Sequence, residues 1–137
     1  MMFKTRSYKL VDAIANHPDV RPTIEMGDYY IQSAELISNP NNVVYADENG
    51  HGIVIFVGLR PGVYQIHVGF LKHGRGGIAR RAIMWCMDDL WQRYDASKIV
   101  AAIPLQLRAC RLLCRIVGFR SLGADAQQEH FVFEGGQ

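Results

Sequence analysis

The sequence is poor in cysteine: Cys86, Cys110 and Cys114 are its whole complement among 137 residues. They show no zinc spacing and no even disulfide framework, so no metal is expected and a reduced, cytoplasmic compartment is implied. Long apolar runs are also missing. None approaches the roughly 20 residues of a membrane helix, and the charged stretch Met1 to Lys9 leads into no apolar segment of a signal peptide. Neither sign of charge dominates. Fifteen Lys and Arg against thirteen Asp and Glu leave +2, short of the clustered basicity of a nucleic-acid surface. Neither a membrane nor a nucleic acid is therefore an expected partner. Repeats, linkers and low-complexity segments are absent too. What is present, 49% hydrophobic and 20% charged residues, suits one packed domain over residues 1–137.

Periodicity and turn residues give the order of elements. Phe3 to Arg6 reads as a short strand, Tyr8 to Asn16 as a helix with Leu10, Ala13 and Ile14 on one face, and Tyr29 to Ile37 as a second helix. The turn-rich segment Asn16-His17-Pro18-Asp19-Val20-Arg21-Pro22 separates the two helices. Val43 to Ala46, Gly52 to Leu59 and Val63 to Leu71 read as strands. The turns Asp47-Glu48-Asn49-Gly50 and Arg60-Pro61-Gly62 are short enough to make them an antiparallel meander. A long amphipathic helix, Ile78 to Tyr94, precedes a buried-type strand, Lys98 to Ile103. Leu105 to Val117 is a further helix capped by Gly118, and Phe119 to Leu122 with His130 to Phe133 makes a closing hairpin. Strand, two helices, three antiparallel strands, helix, strand, helix and two strands describe a layered α+β fold with a mixed, mostly antiparallel sheet.

The segment Gly74-Arg75-Gly76-Gly77-Ile78-Ala79 joins a strand to a helix. Glycines let backbone N–H groups approach a ligand, and a helix start adds unpaired donors and the positive end of its dipole. A phosphate or pyrophosphate suits such a loop, with Arg75, Arg80 and Arg81 adding charge; the plainer reading is a glycine-rich connection with no ligand. Ile78-Ala79 stands where a nucleotide hydrolase loop needs Lys-Ser or Lys-Thr. The dinucleotide fingerprint matches in letters only, because an antiparallel meander precedes the loop and the next strand ends in Ala102-Ile103-Pro104 without an acid.

With this order and loop, the chain resembles the GNAT acetyltransferase superfamily. That family's loop reads Arg/Gln-x-x-Gly-x-Gly/Ala at the start of the helix after the fourth strand. Gly77 and Ala79 match its last two fixed positions, and Gly74 stands where Arg or Gln is usual. The strand from Lys98 and the helix ending in Val117-Gly118-Phe119 match the second landmark. The resemblance implies a sheet of about seven strands with four helices, and acetyl-CoA as cosubstrate where the fourth and fifth strands splay. The pyrophosphate would lie on the amides of Gly74, Arg75, Gly76, Gly77, Ile78 and Ala79. A backbone N–H near Gly69, Phe70 and Leu71 would hold the thioester carbonyl.

His67 lies mid-strand on one face with Gln65 and Gly69, where an imidazole could take a proton from an amine; the alternative is a core histidine. His73 flanks the loop as a phosphate contact or a solvated residue. The family's usual Asn and Tyr positions hold Leu107 and Cys114 here, so Cys114 occupies the place of the acid while Cys110 and Cys114 also read as small core residues. Arg108, Arg111 and Arg115 make a solvated stripe or a charged contact. Trp85, Trp91 and Tyr94 read as core or interface, and Asp88 and Asp89 as solvated. The activity implied is transfer of an acetyl group from acetyl-CoA to an amine of a protein or small molecule, with room for a homodimer. Asn16 to Pro22 and Tyr64-Gln65-Ile66-His67 resemble a subgroup encoded by tailed bacteriophages. This second reading is a virion or assembly protein with little turnover, phage structural proteins as partners, and the host cytoplasm or virion as its location. A toxin acting on charged transfer RNA shares the fold but usually carries a more basic surface.

Overall fold

The computed structural model describes residues 1–24 and 30–135. Its elements run β1 (Met2–Lys4), α1 (Tyr8–Ala15), α2 (Ala34–Ser38), β2 (Val43–Asp47), β3 (Gly52–Arg60), β4 (Val63–Phe70), α3 (Gly77–Arg93), β5 (Lys98–Pro104), α4 (Arg108–Ile116), β6 (Arg120–Ala124) and β7 (Gln128–Phe133). The strands form one sheet in the order β1-β2-β3-β4-β5-β7-β6. Only β4 and β5 pair in parallel; every other neighbour is antiparallel. The mixed α+β fold with seven strands and four helices is the one the sequence implies.

The period-2 alternation of the strands sends side chains to two cores. Val43 and Tyr45 of β2, Val54 and Phe56 of β3 and Ile99 of β5 join Ile83, Cys86 and Leu90 of α3 and Cys114 of α4 on one face. Val44, Ala46 and Ile53 join Val11, Ile14 and Ala15 of α1, Ile37 of α2 and Val20 on the other. All five residues of β2 are buried, as expected of a strand covered on both faces. Ser7 caps α1, its Oγ accepting the Leu10 N–H at 3.3 Å. At the end of α4, Phe119 donates to the Cys114 carbonyl and Gly118, at φ +109, to that of Arg115, a Schellman closure.

Boundaries depart from the sequence reading where side chains capture the backbone. The second helix is shorter than Tyr29 to Ile37, and Tyr29 lies outside the described residues. Asn16 clamps Ile31, its Nδ2 donating to the carbonyl and its Oδ1 accepting the N–H. Asp12 Oδ1 accepts both the N–H and the hydroxyl of Ser33. These bonds hold residues 31–33 non-helical, so α2 starts at Ala34. The last helix begins at Arg108 rather than Leu105, because Leu107 N–H turns back onto the Pro104 carbonyl. The first strand ends at Lys4, not Arg6, and the closing hairpin is Arg120–Ala124 with Gln128–Phe133. No helix among the described residues is long and apolar enough to cross a membrane.

Candidate functional site

β4 and β5 pair only through Val63↔Lys98, Tyr64↔Ile99 and Gln65↔Val100. Both strands then continue, β4 to Phe70 and β5 to Pro104, without pairing to each other. The sheet therefore opens into a gap, and α3 and α4 both start at its open end.

Backbone alternation decides which groups line the gap. Within an antiparallel strand the N–H and C=O of a residue point to the same edge, and successive residues point to opposite edges. Leu71 N–H donates to His51 O at 2.8 Å, toward β3. The Gly69 N–H accordingly points to β3 as well, and the N–H groups of Val68 and Phe70 project into the gap. Of Gly69, Phe70 and Leu71, Phe70 is the residue that presents a donor there.

The glycine loop splits in a similar way. Gly74 and Arg75 spend their N–H groups within a one-turn 3-10 helix, on the carbonyls of Leu71 and Lys72 at 2.8 and 3.3 Å. The first bond of α3 is Arg80 N–H to Gly76 O at 3.0 Å, which leaves the N–H groups of Gly77, Ile78 and Ala79 without an intrahelical partner. Gly76 is the N-cap at φ +75 and offers no side-chain cap; a side chain would be strained in that conformation. The first turn holds no acid, and Arg80 and Arg81 follow it. A helix start that favours negative charge is thus supplied only with cations, the arrangement of an anion site.

Arg75 is part of the loop's scaffold. Its Nε donates to Phe70 O at 3.1 Å and its Nη2 to Asp19 O at 2.6 Å. Asp19 Oδ2 accepts the Lys72 N–H at 3.0 Å. That bond, with the charges of His17, Lys72 and Arg75, holds the Asp19 carboxyl below its ordinary value. The Asn16 to Pro22 segment is therefore latched to the glycine loop, a link the sequence reading missed because nothing local signals a bond across more than fifty residues.

His67 points to the α1 face with Gln65 and Gly69. It is open to solvent, and desolvation by the surrounding protein pushes its imidazole below the ordinary value. His73 instead turns its ring edge-on to His51, centroids 4.3 Å apart. Cys114 is buried in the α3 and α4 core at 6% exposure, and burial pushes its thiol up to about 12. Leu107 is the N-cap of α4 without a side-chain cap.

Arg108 and Arg115 of the α4 stripe are exposed, and two of its three arginines also make a charged contact. Arg111 and Arg115 both donate to Glu129, which also accepts the Ser121 hydroxyl at 2.7 Å. Asp89 is likewise engaged, accepting from Tyr45 Oη and Arg93 Nε at 2.7 Å each. Trp85 packs edge-on against Tyr45, and Trp91 against Phe133. Among the described residues no three His, Cys, Asp or Glu side chains gather in a way that could hold a metal ion. A concavity of about 700 Å³ lies at the other end of β4, lined by Arg60, Pro61, Tyr64, Tyr94 and Asp95 among others, away from the glycine loop.

No family model matches the chain, and no curated protein matches it. Solved structures do match. The smu.2055 protein of Streptococcus mutans UA159 superposes with a TM-score of 0.79 at 11% identity, over 98% of each chain. The ribosomal-protein-S5-alanine acetyltransferase of Vibrio fischeri gives 0.74 at 14% identity, over 97% of this chain and 91% of that one. The N-acetyltransferase PseH of Campylobacter jejuni, solved in complex with acetyl coenzyme A, gives 0.63 at 10% identity over 74% of each chain. At these identities the likeness is one of fold, a fold shared with proteins named N-acetyltransferase and acetyltransferase.

Proposed function

We propose that this chain is an acetyl-CoA-dependent N-acetyltransferase that moves an acetyl group to an amine of a protein or small molecule by direct attack. The observation that carries the reading is the gap between β4 and β5, with the Phe70 N–H projecting into it and the free amides of Gly77, Ile78 and Ala79 at its open end. The helix start suits a pyrophosphate, and the β4 edge suits a thioester oxygen that gains negative charge. Neighbours of the same fold that are named acetyltransferases, one of them solved with acetyl coenzyme A, support it.

His67 faces the acceptor side and serves as base, because an ammonium has no lone pair with which to attack. The amine loses one proton to His67, directly or through water. As the C–N bond forms and the C–S bond breaks, nitrogen loses a second proton and sulfur gains one. The test is calorimetry with CoA, followed by thiol release from acetyl-CoA in the presence of an amine. Absence of binding at millimolar CoA refutes the reading.

A second reading rests on Leu107 and Cys114, which lack the usual side chains, and on the burial of the Cys114 thiol. It is a fold that keeps CoA binding with little turnover, as in a phage virion or assembly protein. CoA binding without acetyl transfer to any amine would favour it.

A further inference from the structure

We infer that Arg75 assists the oxyanion of acetyl transfer, its guanidinium masking the Phe70 carbonyl and setting a positive charge beside the Phe70 N–H; this rests on the transferase reading. The geometry of β4 makes the argument. The N–H and C=O of one residue in an antiparallel strand point to the same edge. Phe70 therefore sends its carbonyl into the gap next to the N–H that would hold the thioester oxygen. Left bare, that carbonyl would oppose the reaction, because its negative end would face an oxygen gaining negative charge. Arg75 covers it: Nε donates to this carbonyl at 3.1 Å.

The charge survives the bonding. The second bond of the guanidinium runs from Nη2 to the backbone carbonyl of Asp19 at 2.6 Å. Both partners are neutral, so neither bond cancels the cation. The Asp19 carboxylate is engaged elsewhere, its Oδ2 accepting the Lys72 N–H at 3.0 Å. Anchors on two segments, β4 and the Asn16–Pro22 loop, hold a side chain that would otherwise lose much rotamer freedom on being placed. The charge is also felt across the open end of the gap. Burial pushes up the thiol of Cys110, in the first turn of α4, and Arg75 opposes that shift. Arg75 is exposed at present, and an acetyl-CoA arm laid in the gap would cover it. Excluding water there strengthens the interaction of its charge with an anion.

As the amine attacks, the electrons of the thioester C=O bond move onto oxygen; they return as the C–S bond breaks. Arg75 gives up no proton and forms no bond to carbon in this step. It stabilises the anion between the two events, a role separate from that of the base.

Infrared difference spectra of the full chain, saturated with acetyl-CoA isotope-labelled at the carbonyl and without an amine, read this polarisation directly. In the parent protein the thioester carbonyl band should lie below that of free acetyl-CoA. Arg75→Met should return the band most of the way and lower kcat with an amine by about 10–100-fold, less than the loss of a direct oxyanion donor. Arg75→Lys keeps the charge but has no fork to span both carbonyls, and should keep the band near its parent position and kcat within about fivefold. Both variants lose the strap between Phe70 and Asp19, so a merely structural role would impair them alike. A band unmoved in Arg75→Met, a lysine variant as impaired as the methionine one, or a parent band at the free position overturns the inference. If acetyl-CoA fails to bind, the transferase reading falls first and this inference with it. If it binds but no amine is acetylated, the band alone decides.

Discussion

Val20 packs directly on Gly69: a β-carbon at position 69 would stand 2.6 Å from Val20 Cγ1. The fully buried side chain of the Asn16–Pro22 loop thus occupies the space that a residue on β4 would otherwise need. Gly69→Ala should cost about 1–3 kcal/mol, the range for overpacking a tight core. Val20→Ala in that background should recover part of the loss, although alone it destabilises by leaving a cavity. Urea denaturation of the two single variants and the double variant gives the coupling. Additive costs would show that the contact is relieved without strain.

Gly77 presents a free N–H at the helix start, and a β-carbon there would already approach Arg81 Nη1 to 3.2 Å. Gly77→Glu places bulk and negative charge where the anion would sit. CoA binding should fall below detection by calorimetry while the far-UV dichroism is unchanged. Undiminished affinity would move the pyrophosphate away from this loop.

Most of this fold was legible in the sequence because its signals are local. The apolar run Val43 to Ala46, the turns at Gly50 and Gly62 and the Gly118 cap all act within a few residues. What escaped is long-range. Asp12 and Asn16 unwind residues 31–33 from α1, Asp19 ties to Lys72, and Glu129 gathers Arg111, Arg115 and Ser121. Each polar pair forms only after the chain has folded, so each residue alone looks like an ordinary surface group.

His67 has its imidazole pushed below the ordinary value by the protein around it. The unfolded chain then binds the proton more readily, so stability rises with pH across the window between the folded value and about 6.5. Lowering the pH from 7 through that window should destabilise the protein, and His67→Gln should flatten the dependence. For catalysis, the acid limb of kcat/KM should lie below pH 6.5. His67→Ala should lower kcat with CoA affinity nearly unchanged. A parallel loss of CoA affinity would give His67 a structural role in place of the base.

Glu129 is buried, and its carboxyl is held below the ordinary value by the Ser121 hydroxyl first and the two arginines next. Its contribution is fully present above about pH 4.5 and is lost as the pH falls through the lower, folded value. Glu129→Gln should lower the urea midpoint at pH 7 and narrow the difference between pH 7 and pH 4. An unchanged pH dependence would mean that another carboxylate sets the acid transition.

Cys114 stands where the resemblance to GNAT acetyltransferases would put an acid tyrosine, and its thiol is shorter than a phenol by most of a ring. Packed among α3 and α4 core residues and pushed up to about 12 by burial, it keeps its proton at every working pH. A group that does not give up its proton readily is a poor donor to a departing thiolate. On the transferase reading, water then protonates the sulfur and slow turnover is expected. Cys114→Ala should leave the acetylation rate of an accepted amine within about threefold of the parent protein. A loss in the range of about 10²–10⁴-fold, as for a general acid, would instead make Cys114 the proton donor and require the helix interface to open during turnover.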